Sequence, residues 1–192
     1  ATSTVTLKID KTPPTIMPAA SPAPNAAGWN NTDVTVSFTC DDTLSGIASC
    51  PGASSVSSEG EGLTVPGTAI DRAGNSATAS ATLKIDKTLP ELTITGPTVS
   101  VTGSPSPQVD VHYTDALSGI ETASLVVSVD GNLLTDCSVA AQAAACQTPA
   151  LASGSHTITA MVDDRAGNRI ATSSSFTLNL NGPPVLTPIG DK

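Results

Sequence analysis

Apolar and polar side chains alternate with a period of two along much of the chain, the pattern of β-strands that bury one face. Four segments show it, and these residues are predicted to point inward: Val34, Val36, Phe38 and Cys40; Ala77, Ala79, Ala81, Leu83 and Ile85; Val109, Val111 and Tyr113; and Ile170, Phe176, Leu178 and Leu180. The Thr, Ser and Lys faces between them are expected to meet water. Because no window shows a convincing 3.6-residue period, the sequence predicts an all-β protein of antiparallel β-sandwiches.

Two motifs recur and divide the chain into two units. Leu-Ser-Gly-Ile occurs at 44–47 and 117–120, a shift of 73 positions, and Asp-Arg-Ala-Gly-Asn occurs at 71–75 and 164–168, a shift of 93. The second unit therefore carries 20 extra residues between these landmarks. They include Asp130-Gly131, a strong signal for a two-residue hairpin, so an extra hairpin is predicted there. We expect one domain at 11–86 and a second at 87–181.

The two ends of the chain repeat pieces of these units. Residues 1–10 read ATSTVTLKID and match 77–86, ATASATLKID. We therefore expect 1–10 to be the last strand of a preceding domain, with Val5, Leu7 and Ile9 lacking a sheet of their own. Such a strand would fray or pack on a neighbouring domain, or would complete a domain in another molecule by edge addition. Residues 182–192 are expected to begin a following domain.

Composition narrows the function classes. Only 2% of residues are aromatic, so the core must be aliphatic, and no run approaches the roughly 18 apolar residues of a spanning helix. Charged residues make up 13%, against about 25% in ordinary domains, which argues against a typical cytosolic enzyme. The net charge of −9 and pI near 4.3, without a basic cluster, exclude nucleic acid as an expected partner.

The four cysteines form two close pairs in the sequence, Cys40 with Cys50 and Cys137 with Cys146. Neither pair has the Cys-x-x-Cys spacing of a zinc or redox site. We therefore expect one local disulfide in each unit and an oxidising compartment, outside a cell or in a periplasm.

Several motifs together resemble the bacterial Ig-like repeat domains of large secreted and cell-surface proteins. They are Gly-Trp-Asn-Asn-Thr-Asp-Val-Thr-Val at 28–36, Asp-x-Leu-Ser-Gly-Ile at 42–47 and 115–120, and the two Asp-Arg-Ala-Gly-Asn turns, with Ile-Asp-Lys-Thr-Leu-Pro at 85–90. The resemblance implies tandem Ig-like sandwiches that serve as a stalk, adhesin or fibre, or as an accessory to a secreted enzyme. It implies no catalytic residue. Its partners would be neighbouring Ig-like domains, copies of itself, surface glycans or host proteins.

The acidic turn residues Asp42, Asp71, Asp115 and Asp164 are the candidate site residues. Asp71 and Asp164 are expected to cap turn amides, with Gly74 and Gly167 at positive φ. The alternative is calcium, which needs several oxygen ligands. Asp41 and Asp42, or Asp115 with Asp163, could supply them at one end of a sandwich, and Asp10 and Asp86 beside the Pro junctions could bridge domains through an ion.

The tryptophan and the two histidines are weaker candidates for a functional site. Trp29 is expected to be a packing anchor, or alternatively an exposed platform on which a sugar stacks. His112 and His156 show no partner spacing for a metal or a catalytic triad and are expected on solvent faces. The sequence has no Gly-x-Ser-x-Gly elbow, phosphate loop or His-Glu-x-x-His motif. The chain is therefore expected not to be an enzyme, and a binding role would use Trp29 or the hairpin at 130–134.

Overall fold

The computed structural model describes residues 3–181, and within that range every regular element is a β-strand. The predicted all-β sandwich class is confirmed. The strands are β1 Thr15–Ser21, β2 Val34–Asp41, β3 Ile47–Ser49, β4 Ser54–Val56, β5 Gly60–Asp71, β6 Ser76–Ile85, β7 Glu91–Gly96, β8 Val101–Thr102, β9 Gln108–Thr114, β10 Ile120–Val129, β11 Asn132–Leu133, β12 Cys137–Val139, β13 Ala143–Gln147, β14 Gly154–Asp164 and β15 Arg169–Asn179. The chain divides into two compact units between Lys87 and Thr88.

Unit 1 contains two three-stranded antiparallel sheets, β1-β2-β4 and β3-β5-β6. Alternation along β2 buries Val34 and Val36 completely, and Leu83 and Ile85 of β6 complete a small aliphatic core. Phe38 packs at the edge of this core over Gly67 of β5, where a Cβ atom would lie 2.6 Å from the ring. Gly67 is therefore the position that lets the largest partly buried side chain of β2 fit.

Unit 2 contains a five-stranded sheet, β11-β10-β14-β15-β8, and a four-stranded sheet, β12-β13-β9-β7. Its pairs are antiparallel except for β8, which runs parallel to β15. The two sheets enclose a core far larger than that of unit 1: Leu92, Val109, Val111, Tyr113, Val127, Val129, Leu134, Ala144, Cys146, Ile158, Ala160, Val162, Phe176 and Leu178. The single tyrosine, Tyr113, is fully buried, and its one hydroxyl proton is shared between the carbonyl oxygens of Ala140 at 2.7 Å and Ala143 at 2.9 Å.

The extra residues of unit 2 form two hairpins. Asp130 and Gly131 have φ values of 51° and 79° and join β10 to β11 in the predicted two-residue turn. The chain then continues into β12 and β13, which pair directly and place Cys137 opposite Cys146. The insertion thus adds strands to both sheets of unit 2.

Both expected disulfides are present, at non-equivalent places. Cys40 of β2 is bonded to Cys50, which lies in the loop between β3 and β4. Cys137 and Cys146 are bonded across the paired strands β12 and β13. Cys50 is exposed whereas Cys146 is fully buried, so the bond of unit 2 belongs to its core and that of unit 1 to its surface.

One expectation on side-chain burial is corrected. Leu180 is 36% exposed rather than inward, because the strand pairing of β15 ends at Asn179. Residues 3–14 form no strand, and Val5, Leu7 and Ile9 are 86%, 75% and 61% exposed. Residues 182–192, predicted to begin a following domain, lie outside the described range. No helix among residues 3–181 has the length and hydropathy needed to cross a membrane.

Candidate functional site

The loop that follows β2 folds around the carboxylate of Asp42. Its Oδ1 atom accepts hydrogen bonds from the amides of Ser45 at 2.8 Å, Gly46 at 2.7 Å and Leu44 at 3.2 Å. A short side chain that accepts from amides a few residues ahead is the physical basis of an Asx turn. Gly46 takes a φ of 79°, which closes the loop without the steric penalty of a side chain. Asp42 is thus fixed by its own loop.

The turn between β5 and β6 is built in the same way around Asp71. Its Oδ1 accepts from the amide of Asn75 at 2.8 Å, and its Oδ2 accepts from the Asn75 side-chain amide at 2.7 Å. Gly74 has a φ of 94°. Burial of Asp71 opposes its ionisation, but the hydrogen bonds from Asn75 and from the amides of Gly74 and Ala73 outweigh burial and lower its pKa. The carboxylate is therefore held in its charged form.

A third carboxylate joins these two from the N-terminal segment. Asp10 accepts from the Ser45 amide at 3.2 Å, and its own carbonyl oxygen accepts from the Asn75 side chain at 3.3 Å. One oxygen each of Asp10, Asp42 and Asp71 lies within 4.8 Å of the others. We call these three residues the acidic cluster.

Unit 2 repeats the two turns of the acidic cluster. Asp115 Oδ1 accepts from the Gly119 amide at 2.6 Å, and Asp164 accepts from the Asn168 amide at 2.8 Å and from its side chain at 2.7 Å. Gly167 has a φ of 93°. Carboxylate oxygens of Asp115 and Asp164 lie within 4.8 Å of each other. The motif pair therefore brings two carboxylates together in each unit.

The acidic cluster has the donor chemistry of a hard-cation site. Calcium binds six to eight oxygen ligands, and carboxylates are its strongest protein ligands. Three negative charges held this close repel one another unless a cation or proton lies between them. A carboxylate oxygen can also accept a backbone amide and face a cation at once, since each carboxylate offers about four lone-pair sites. The geometry can therefore hold a cation without dismantling the turns.

The structure groups the predicted residues differently from the sequence. Asp42 and Asp71 meet, as do Asp115 and Asp164, but Asp41 is exposed and lies outside the acidic cluster. Asp163 does not join Asp115: it forms a two-point ion pair with Arg169 at 2.6 and 2.8 Å, which lowers its pKa. The sequence analysis missed Asp10 as a partner of these turns. The sequence feature that could have identified Asp10 is the repeat Leu-Lys-Ile-Asp-Lys-Thr, which makes Asp10 and Asp86 equivalent positions.

Trp29 is buried, with 6% of its surface exposed. The Lys84 ammonium lies 5.6 Å from the ring centroid, and the Trp29 amide donates to Asn25 at 3.0 Å. An indole enclosed in this way offers no open face to a sugar. The hypothesis of an exposed stacking platform at Trp29 is wrong, and the residue packs within unit 1.

The two histidines differ, which corrects the expectation that both face solvent. His112 is exposed on β9, whereas His156 on β14 is only 9% exposed and lies 2.6 Å from Asp130. His156 has the same parity along β14 as the buried Ile158, Ala160 and Val162, so strand alternation carried the signal for its burial.

Residues 91–178, somewhat less than half of the chain and all within unit 2, match the sequence model of the IPT/TIG domain family. A search of curated proteins finds no match to the sequence.

Solved structures similar to this chain include immunoglobulin domains and fibronectin-like modules. A three-Ig-domain structure of titin aligns with a TM-score of 0.53 at 10% identity, over 87% of this chain and 66% of that one. Fibronectin(III)-like modules of Clostridium thermocellum CbhA align at 0.42 and 14% identity, over 85% and 95%. Sidekick-1 immunoglobulin domains align at 0.48 and 12% identity, over 85% and 49%. The titin alignment supports the fold alone: the chain has an Ig-like β-sandwich fold, and its second unit matches the IPT/TIG domain.

Proposed function

We propose that the chain is a non-catalytic structural or adhesive segment of a bacterial extracellular or cell-surface protein, made of two Ig-like sandwiches in tandem and serving in a stalk or fibre. One observation carries the proposal: each unit is closed by its own disulfide, at a different place in the sandwich. Disulfides persist in oxidising compartments. Each bond limits how far the chain of its own unit can be extended, which suits a segment under load.

Stretching single molecules of the full chain between their two ends tests this mechanical role. The bonds join cysteines 10 and 9 residues apart in sequence, so each withholds about 3 nm of extended chain from stretching. The oxidised protein should give two unfolding events, and reduction should lengthen each by about 3 nm. The C40A/C50A variant should lengthen only the event of unit 1. An oxidised chain that extends smoothly without resolved events would contradict a load-bearing role.

A more specific proposal is that the chain assembles through its N-terminal segment, whose apolar side chains are exposed. Residues 6–12 are identical in sequence to 82–88, and Leu83 and Ile85 of that second copy lie in the core of unit 1. We propose that 3–9 serves as a strand in another copy of the chain. The L7N/I9N variant should then lose oligomers in sedimentation, whereas T4N should keep them. Oligomers that persist in L7N/I9N would contradict the proposal, as would a wild-type chain that stays monomeric.

Calcium binding at the acidic cluster is a second proposed function, supported by the three converging carboxylates. Calcium should raise the unfolding temperature of the wild type, and EDTA should reverse the effect. D42N keeps an acceptor oxygen for the loop amides but loses a charge, so its response to calcium should be lost. D41N removes a charge outside the cluster and should respond as the wild type does. An equal response of both variants would assign calcium elsewhere, and a wild type without response would exclude the site.

A further inference from the structure

The imidazole of His156 connects three parts of unit 2. Its Nδ1 lies 2.6 Å from Oδ2 of Asp130, in the turn between β10 and β11. Its Nε2 lies 2.9 Å from the carbonyl oxygen of Ala152, in the loop 148–153 that precedes β14. The ring centroid lies 5.4 Å from that of Phe176 on β15, and the side chain is 10% exposed. His156 is thus enclosed between a turn, a loop and a neighbouring strand.

Both ring nitrogens face oxygens that accept hydrogen bonds. A carboxylate and a peptide carbonyl carry no proton to donate, and a neutral imidazole has only one N–H. Only the imidazolium, with two N–H groups, satisfies both contacts. The geometry of both contacts therefore matches a protonated His156.

The Asp130 turn is anchored independently of the ring. The second carboxylate oxygen of Asp130 accepts from the Thr157 amide at 2.8 Å, and the Asp130 amide donates to the Thr157 carbonyl oxygen at 2.9 Å. The loop 148–153 has other anchors, including the Leu151 amide, which donates to the Pro105 carbonyl oxygen at 2.8 Å. At Ala152, however, the contact with the imidazole is the one that depends on protonation.

We propose that His156 is a pH-operated latch that fastens the loop 148–153 to the turn between β10 and β11 when protonated and releases the loop at Ala152 when neutral. The neutral ring keeps its proton on Nδ1, because the carboxylate is a stronger acceptor than the carbonyl. Nε2 then presents a lone pair to the Ala152 oxygen, and that contact becomes repulsive. The turn stays in place because Asp130 remains bonded to Thr157.

The pH response comes from one pair of ionisable groups, His156 and Asp130. Asp130 is the ionisable group that the structure places against the ring, and the surrounding segments 126–129, 148–160 and 174–178 contain no other besides His156 itself. The hydrogen bond that the ring donates to Asp130, followed by the one that it donates to Ala152, raises the pKa of His156 above 6.5. The stabilisation is fully present below the unfolded pKa of 6.5 and is lost as pH rises through the folded pKa. The latch therefore opens on the alkaline side.

NMR of the full chain labelled with 15N tests the latch. Its ring signals should show a midpoint for His156 above 6.5 and an Nδ1–H tautomer after deprotonation, with H112Q assigning the two histidines. Across the same titration, the exchange protection of the Leu151 amide, corrected for intrinsic rates, should fall about tenfold. The protection of the Asp130 amide should stay constant.

The D130N variant separates the latch from a general effect of pH. It removes the charge that favours the imidazolium, so both the His156 midpoint and the loss of Leu151 protection should move to lower pH together. The proposal is overturned if the midpoint does not move in a folded D130N. In the wild type alone, it is overturned if the protection of Leu151 ignores the titration of His156 or if the Asp130 amide loses protection in parallel.

Discussion

The two units share their turns and differ in their cores. In both units the aspartate of the Asp-x-Leu-Ser-Gly loop accepts from the glycine amide, and the aspartate of the Asp-Arg-Ala-Gly-Asn turn accepts from the asparagine amide. Among the described residues 3–181, however, the buried apolar cluster has four members in unit 1 and fourteen in unit 2. Buried apolar area is the main favourable contribution to folding. The turns survive this difference because each aspartate binds amides of its own loop, which need no large core beneath them.

The disulfides follow the same contrast. In unit 2 the fully buried Cys146 is one of the core residues, so its bond adds to an interior that is already large. In unit 1 the bond lies toward the surface and closes a loop beside a small core. We therefore expect unit 1 to depend on covalent closure and unit 2 on packing.

Core truncations should have the largest effect. Ile85 and Ile158 are both fully buried, one in each unit. I85A and I158A should each lower the free energy of unfolding of their own unit by about 2–5 kcal/mol, through lost burial and a residual cavity. The sole tryptophan, Trp29, reports on unit 1 and the sole tyrosine, Tyr113, on unit 2, so urea unfolding separates the effects. Equal shifts of both probes in either variant would contradict separate cores.

Loss of the disulfide of unit 1 should have the second-largest effect on stability. C40A/C50A should cost unit 1 about 2.5–3 kcal/mol, the chain-entropy value for a loop of roughly ten residues. Because the core of unit 1 is small, this loss should move the Trp29 transition to a clearly lower urea concentration. C137A/C146A is the matched variant, and it should leave the Trp29 transition unchanged.

A single added methyl group at Gly67 should have a smaller effect. A Cβ there would lie 2.6 Å from the Phe38 ring, so the ring must move and unit 1 should lose about 1–3 kcal/mol. Gly52 is the control, since a Cβ at that position meets no atom within 4 Å. G52A should therefore leave the Trp29 transition where it is, and a similar loss in both variants would refute the packing explanation.

Of the four changes described, lowering the pH should affect the stability of unit 1 least. The pKa of Asp71 is lowered below 3.8 in the folded state, so its contribution is present above that value and lost as pH falls through the folded pKa. The wild type should lose some stability of unit 1 over this range, and D71N should lose less. The Trp29 transition, measured above and below pH 3.8, checks the difference.

The fold followed from local sequence, whereas the site depended on distant residues. Alternation along 34–40 and 109–113 predicted the inward faces of β2 and β9, because a strand fixes the side of each residue by its neighbours. The acidic cluster needed Asp10, which folding brings to Asp42 and Asp71 from a segment without strand structure. Periodicity carries no information on such a contact.

For His156, the polar nature of the side chain and the alternation along the strand lead to opposite predictions of burial. Its parity along the strand indicated burial, but a lone histidine was expected in water because burying it requires partners. Those partners are the Asp130 carboxylate and the Ala152 carbonyl. Both depend on the hairpin turn and a loop whose positions only the folded chain supplies.

Urea unfolding of the oxidised full chain, followed by Trp29 fluorescence and by a Tyr113 signal in the same samples, tests the central claim most directly. The account predicts two transitions, with unit 1 unfolding at the lower urea concentration and moving lower still on reduction. A single transition shared by both probes, or a unit 2 that unfolds first, would contradict two sandwiches with separate cores of unequal size.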